Sequence, residues 1–260
     1  MIEYLAMVPH GEEIINSQDN ASVHLKKSML KLKKEVLSKN LDTFVVVTPH
    51  NIRISDHIGI ILTEYTAGNL GKIRRNYDCD RELATLIYNA AKPKLPVVGV
   101  NFGALEGESS KITLDWGSFI PLYFLNRGKK VVIITPARDL TAEQLIEFGS
   151  ILGSVTEKYG KKVGIIISAD QAHTHLKSGP YGSSKYARVY DNFVKTAFEQ
   201  NRIDSIKCID HKIIEHAKPD SFWQILILIG ILHVNKYRVK YIDYQCPTYY
   251  GMMIASFAPP

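Results

Sequence analysis

Short apolar runs alternate along the chain with longer stretches whose apolar positions recur every three or four residues. Ile2 to Val8 is the first run, and it stops at Pro9. Residues 11–17 read as a loop. From 18 to 39, Val23, Leu30, Val36 and Leu37 fall among lysines, the spacing of an amphipathic helix ending near Asn40. Residues 44–48 predict a second strand and 58–65 a third, with turn residues Gly68-Asn69 and Gly71 behind it. A helix follows over 80–91, Pro93 and Pro96 punctuate the chain, and 97–100 is a short strand. Residues 114–125 read as a loop running into a short buried helix. A strand is predicted at 130–135, a helix at 141–159 and a strand at 163–168. Helices over 186–201 and 210–217 come next. Lys218-Pro219-Asp220 breaks the second of them before a buried helix over 221–233, and two late strands cover 238–244 and 249–257.

Strands that alternate with helices predict an α/β fold with a mostly parallel or mixed central sheet and helices on both faces. The last two strands suit an antiparallel edge. No linker, internal repeat or low-complexity segment interrupts the pattern, so residues 1–260 are expected to form a single domain.

Two of the strands end alike. Val8-Pro9-His10 and Thr48-Pro49-His50 each place a proline, which cannot donate to a ladder, and then a histidine. In an open α/β sheet the carboxyl ends of the strands are where ligands bind. His173 and His175 follow the 163–168 strand, and Asp220 opens a late helix, so these side chains are expected on one edge. Two neutral imidazoles and one carboxylate on one face of an octahedral ion leave positions open for substrate and O₂, the arrangement of non-haem Fe(II) oxygenases. A histidine beside them that is not a ligand can carry protons. Asp220 is equally suited to capping its helix, as is Asp115. Glu12 and Glu13 read as solvated loop carboxylates, and His24, His57, His211, His216 and His233 lack a strand-end context.

Composition adds little that is specific. The 260 residues are 45% hydrophobic and 22% charged, with a formal charge of +6. The lysines are spread in pairs and carry no nucleic-acid-binding motif, so no nucleic-acid partner is expected. Cys79, Cys208 and Cys246 form neither a CxxC nor a zinc spacing, which suits a reducing cytoplasm. There is no signal-peptide pattern, and the longest apolar run, 222–232, is too short to span a bilayer. A cytoplasmic protein without a membrane partner is expected.

Taken together, the motifs resemble those of the class III extradiol ring-cleavage dioxygenases, typified by the catalytic subunit of protocatechuate 4,5-dioxygenase, and of the related Memo-like proteins. The similarity runs nearly end to end. It rests on Val8-Pro9-His10-Gly11, Val46-Val47-Thr48-Pro49-His50, Leu114-Asp115-x-Gly117 with Pro121-Leu122, Ser168-Ala169-Asp170-x-Ala172-His173, Gly179-Pro180-Tyr181-Gly182 and Pro247-Thr248-Tyr249-Tyr250-Gly251-Met252. The resemblance implies Fe(II), with Zn(II) the alternative, held by His10, His50 and Asp220, with Glu215 the fallback carboxylate. It implies His173 as the acid–base residue. Trp116, Tyr181, Tyr249, Tyr250 and His175 would line the substrate pocket. The reaction implied is cleavage of a catechol-type aromatic with O₂, in a chain that often pairs into homo-oligomers. At Trp116 the ring-cleaving enzymes typically carry a histidine. An indole accepts neither a proton nor a hydrogen bond at its nitrogen. Two alternatives therefore stand: a Memo-like metal-binding or interaction protein without ring cleavage, and a zinc-dependent hydrolase.

Overall fold

The computed structural model describes residues 1–260. The chain begins with strand β1 (Ile2–Val8), a short helix α1 (Glu13–Asn16) and helix α2 (Asn20–Leu37). Strands β2 (Thr43–Val47), β3 (Ile58–Ile61), β4 (Tyr65–Leu70) and β5 (Ile73–Asp78) follow, then helix α3 (Arg81–Ala91) and strands β6 (Val97–Val100) and β7 (Lys111–Thr113). Helix α4 (Trp116–Leu125), β8 (Lys130–Thr135), α5 (Ala142–Lys158) and β9 (Val163–Ser168) complete the middle of the chain. The last part holds α6 (Lys185–Glu199), a 3-10 turn (Ile203–Cys208), α7 (His211–Ala217), α8 (Ser221–Val234), β10 (Arg238–Gln245) and β11 (Met252–Ala258).

Eight strands form one sheet in the order β10-β11-β1-β9-β2-β8-β3-β6. β1, β9, β2 and β8 are mutually parallel neighbours, whereas β3 runs antiparallel to β8. β11 is antiparallel to both β1 and β10, so the expected antiparallel edge is present. The central strands are apolar on both faces because each face carries its own core. Along β2, Val45 and Val47 enter the core shared with α5 and α8, while Phe44 and Val46 enter the one shared with α2 and α4. This is the alternation of a pleated strand between two helical layers. The fold is thus a single-domain α/β structure with a large mixed sheet. No helix is long and apolar enough to cross a membrane.

Three expectations are corrected. The 58–65 strand is two strands in different sheets: β3 ends at Ile61, and Tyr65 begins β4 of a three-stranded sheet ordered β5-β4-β7. The β4–β5 turn is Gly71-Lys72, with Gly71 at φ +56, where a side chain is disfavoured. Gly68 is instead a strand position. The 11–17 loop contains α1, whose Ile14 and Ile15 are buried, which pins it to the sheet. A 3-10 turn at 203–208 lies between the helices expected there.

Helices α5 and α8 pack backbone to backbone. A Cβ on Gly230 would collide with the carbonyl oxygen of Ile146, and one on Gly149 with that of Ile227. Because the obstruction is backbone, only separation of the helices would relieve it. Gly230→Ala is expected to lower stability by about 3 kcal/mol in a urea titration. A change below ~0.5 kcal/mol would show that these helices slide apart freely.

Candidate metal centre

Four side chains from four places in the sequence meet at the carboxyl edge of the sheet. β1 delivers His10, β2 delivers His50, the segment after β9 delivers His173, and the start of α8 delivers Asp220. The Nε2 atoms of His10 and His50 are 3.1 Å apart. The Oδ2 of Asp220 lies 3.6 Å from each of them and 3.7 Å from His173 Nε2. One donor atom from each of His10, His50 and Asp220 falls within 4.8 Å of the others, so these three residues could hold a metal ion. Ligands about 2.1 Å from one ion and at right angles sit ~3.0 Å apart. The two imidazole nitrogens match that spacing, and the Asp220 oxygen lies slightly farther out. Imidazole and carboxylate together suit Fe(II) or Zn(II).

Local chemistry explains the placement. After β2, Asn51 adopts φ +72, and its side-chain amide donates to the Thr113 carbonyl at 2.9 Å and to Asp115 at 3.2 Å. Asp115 caps α4 through the Ser118 backbone N–H at 3.0 Å and also accepts from the hydroxyls of Ser118 and Thr48. Its capping role, expected from sequence, is thus combined with tethering the end of β2. A Cβ on Gly117 would stand 2.5 Å from Thr48 Oγ1 and 3.0 Å from His50 Cδ2, so glycine lets α4 approach the His50 turn. The segment after β9 is stitched to two neighbours. Gln171 N–H donates to Gly251 O, Gly251 N–H to Ala172 O, and His173 N–H to Ala217 O.

Asp220 does not cap α8 with its side chain. Its Oδ1 accepts from Arg138 Nη2 at 2.6 Å, which turns Oδ2 towards the three imidazoles. Arg138 is held in turn by Trp223, whose indole N–H donates to the Arg138 carbonyl and whose ring lies 4.7 Å under the guanidinium. Burial opposes the charged carboxylate of Asp220. The imidazoles of His10, His173 and His50 around it outweigh burial and hold its pKa below the ordinary carboxylate range. Glu215, the fallback, is exposed on α7 and makes none of these contacts.

His10 is 2% exposed. Its backbone N–H donates to Asp170 Oδ1 at 3.2 Å, and its Nε2 lies 3.2 Å from Asp170 Oδ2. Burial works against a charged His10, but Asp170 and Asp220 win and raise its pKa. Burial, eased by His10 and His173, raises the Asp170 carboxyl. His50 behaves oppositely: burial first, then the charge of His10, push it down to about 4. His173 donates from Nδ1 to the Gln171 carbonyl at 2.9 Å, since a carbonyl can only accept, and its Nε2 faces Asp220.

The aromatic residues divide. Tyr250 stacks on His173, with ring centroids 5.1 Å apart, and donates to Glu13 Oε2 at 2.6 Å. Glu13 is therefore half-buried and partnered, not the solvated loop residue expected. Tyr249 and Tyr181 flank His173 at 6.0 and 6.1 Å. Trp116 is 56% exposed and tilts against His50 at 4.3 Å. His175 is placed differently. Its Nε2 pairs with Asp191 at 2.7 Å, and Asp191 also takes the Tyr244 hydroxyl and the Ala172 N–H. Asp191, then Cys246, raises His175 to about 9.

Sequence reasoning passed over Arg138, Ser168, Asp191 and Tyr244. Ser168 and Asp170 lie in the segment Ser168-Ala169-Asp170-x-Ala172-His173, whose family likeness was the one available signal. Arg138 and Asp191 belong to segments with no strand-end histidine to draw attention to them.

A model of the catalytic LigB subunit of aromatic ring-opening dioxygenase matches residues 4–256. The chain belongs to that family. It is 24% identical over 252 residues to a Clostridium acetobutylicum protein whose name states no activity. That match takes in 92% of this chain and 54% of the relative, so the chain spans about half the relative's length. The crystal structure of an uncharacterized Escherichia coli K12 protein superposes with a TM-score of 0.65 at 16% identity. It covers 97% of this chain and 99% of that one, a likeness of fold.

Proposed function

We propose that the chain is a metal-dependent extradiol dioxygenase that opens the ring of a catechol-type aromatic with O₂. The observation that carries this reading is the convergence of His10 Nε2, His50 Nε2 and Asp220 Oδ2, with His173 Nε2 3.7 Å from the same carboxylate oxygen. His10, His50 and Asp220 would hold the ion, with Fe(II) first and Zn(II) second. Bound there, Fe(II) supplies the means to bring electrons from an aromatic diolate to O₂. The protein's own residues bind, orient and move protons. His173 takes a proton from a substrate hydroxyl at Nε2 and returns it as the ring opens, its tautomer fixed by the Gln171 carbonyl. Tyr250 holds the His173 ring plane from one side. Tyr181, Tyr249 and Trp116 offer aromatic faces for a planar substrate. His175 supports the segment carrying His173 through Asp191.

The test is anaerobic reconstitution with Fe(II), followed by a broad panel of catechols, reading oxygen uptake and the coloured ring-opened product. Absence of turnover across the panel would sink this reading. His173→Gln is expected to keep the metal and to lose at least ~100-fold in kcat. Loss of metal in that variant would instead make His173 a ligand.

One observation favours a second reading. Trp116 brings no proton acceptor to the side of His50 where ring cleavage would use one. A Memo-like protein that binds metal without cleaving rings would bind Fe(II) normally and stay inactive even as Trp116→His. A zinc-dependent hydrolase would purify with Zn(II) and consume no O₂.

A further inference from the structure

Ser168 is the last residue of β9, fully buried, and sits on the side of His10 away from the cluster. Its Oγ is 3.1 Å from His10 Nδ1, and the same Oγ donates to the carbonyl of Gly117. A hydroxyl has one proton to give. That proton is taken by Gly117, so Ser168 meets His10 only as an acceptor, and Nδ1 of His10 carries a proton even when the ring is neutral.

The Gly117 carbonyl is open to Ser168 for a reason written in α4. In a regular helix it would accept from the backbone N–H four residues on. That residue is Pro121, which has no N–H. The interior proline of α4 therefore leaves an acceptor unclaimed inside the helix, and Ser168 claims it.

We infer that Ser168 is a positioning residue that sets the tautomer of His10, with Pro121 keeping the Gly117 carbonyl free to orient it. The relay runs from Gly117 O through Ser168 Oγ to His10 Nδ1, so that neutral His10, once an ion has displaced any proton from Nε2, directs its Nε2 lone pair at the space between His50 and Asp220. With the opposite tautomer, an Nε2–H would point at the place a cation would fill. The inference rests on the reading of His10 as a metal ligand. It adds a residue that touches neither the ion nor the substrate.

Outer partners of ligating histidines are generally worth roughly 10–100-fold in metal affinity. The test measures Zn(II) affinity by competition with a chromophoric chelator in wild type, Ser168→Ala, and the matched pair Ser168→Thr and Ser168→Val. Threonine and valine have nearly the same shape and differ in the hydroxyl. Ser168→Ala and Ser168→Val are expected to bind about 10–100-fold more weakly, and Ser168→Thr to recover most of the loss. Nitrogen-15 NMR of the Zn(II)-loaded wild type is expected to show a slowly exchanging His10 Nδ1–H, and Ser168→Ala to lose it. Alanine needs no new space, and thermal melts of the metal-free proteins establish that each variant is folded. Equal Zn(II) affinity in wild type and Ser168→Ala, or in the threonine and valine variants, would overturn the inference. His10→Ala separates the two levels: if it binds Zn(II) as tightly as wild type, the ligand assignment fails, whatever Ser168 does.

Discussion

Asp220→Asn is expected to weaken metal binding by at least about 100-fold while leaving α8 intact. Asparagine is nearly isosteric and as good an N-cap as aspartate. Were Asp220 only a helix cap, the change would be silent. The carboxylate instead accepts from Arg138 through one oxygen and turns the other to His10, His50 and His173. The amide keeps the shape and removes the charge that an ion and the Arg138 guanidinium both require. Equilibrium dialysis with Fe(II) or Zn(II) reads the first effect, and far-ultraviolet circular dichroism reads the second. Unchanged affinity would move the third ligand elsewhere. Asp220→Ala would in addition leave Arg138 without its partner, and should cost about 3 kcal/mol of stability.

The second large effect is on pH. His10 has a raised pKa in the metal-free protein, His50 is pushed down to about 4, and Asp220 stays ionised. At neutral pH a proton on His10 therefore competes with the ion, while His50 is already free to bind. Metal affinity should rise with pH above the ordinary histidine value of about 6.5, until His10 has lost its proton. Below that range it should fall about tenfold per pH unit for each competing proton. Binding near neutral pH should release protons from His10. Calorimetry in buffers of different ionisation enthalpy measures their number directly, and release of none would remove His10 from the site. The sign for folding is the reverse. A raised histidine pKa stabilises the metal-free fold below the unfolded value, and that contribution is lost as pH climbs through the folded one. The metal-free and metal-bound proteins should diverge in stability as the solution becomes more alkaline.

How much of this could be read from the chain depends on the kind of interaction. The strand-end histidines were legible because a parallel sheet gathers its carboxyl ends on one edge, so sequence position becomes spatial position. Asp220 was legible only as one of two roles. What separates them is Arg138, a partner from a loop 82 residues away that no local pattern marks. The three-stranded sheet was missed because β4, β5 and β7 are short, mixed in polarity and half exposed, with little of the period that signals a buried face. The helix–strand alternation was read correctly because both faces of the large sheet are dry. His175 was grouped with the pocket because it lies two residues from His173. Its pairing with Asp191, a residue of α6, could not be seen without the fold.

The position of β1 carries one more consequence. It lies between β9 and β11, and Leu5 pairs with Phe257 across nearly the whole chain. The loop bearing His10 therefore lacks its walls until the final strand has docked. Contacts of such long sequence separation form late and slowly. During synthesis, His50 and the β2–β8 pair are available long before His10 is seated. An ion cannot guide the early stages of assembly and enters a site that already exists. Refolding rates should accordingly be the same with and without metal, and only the unfolding rate should slow when it is bound.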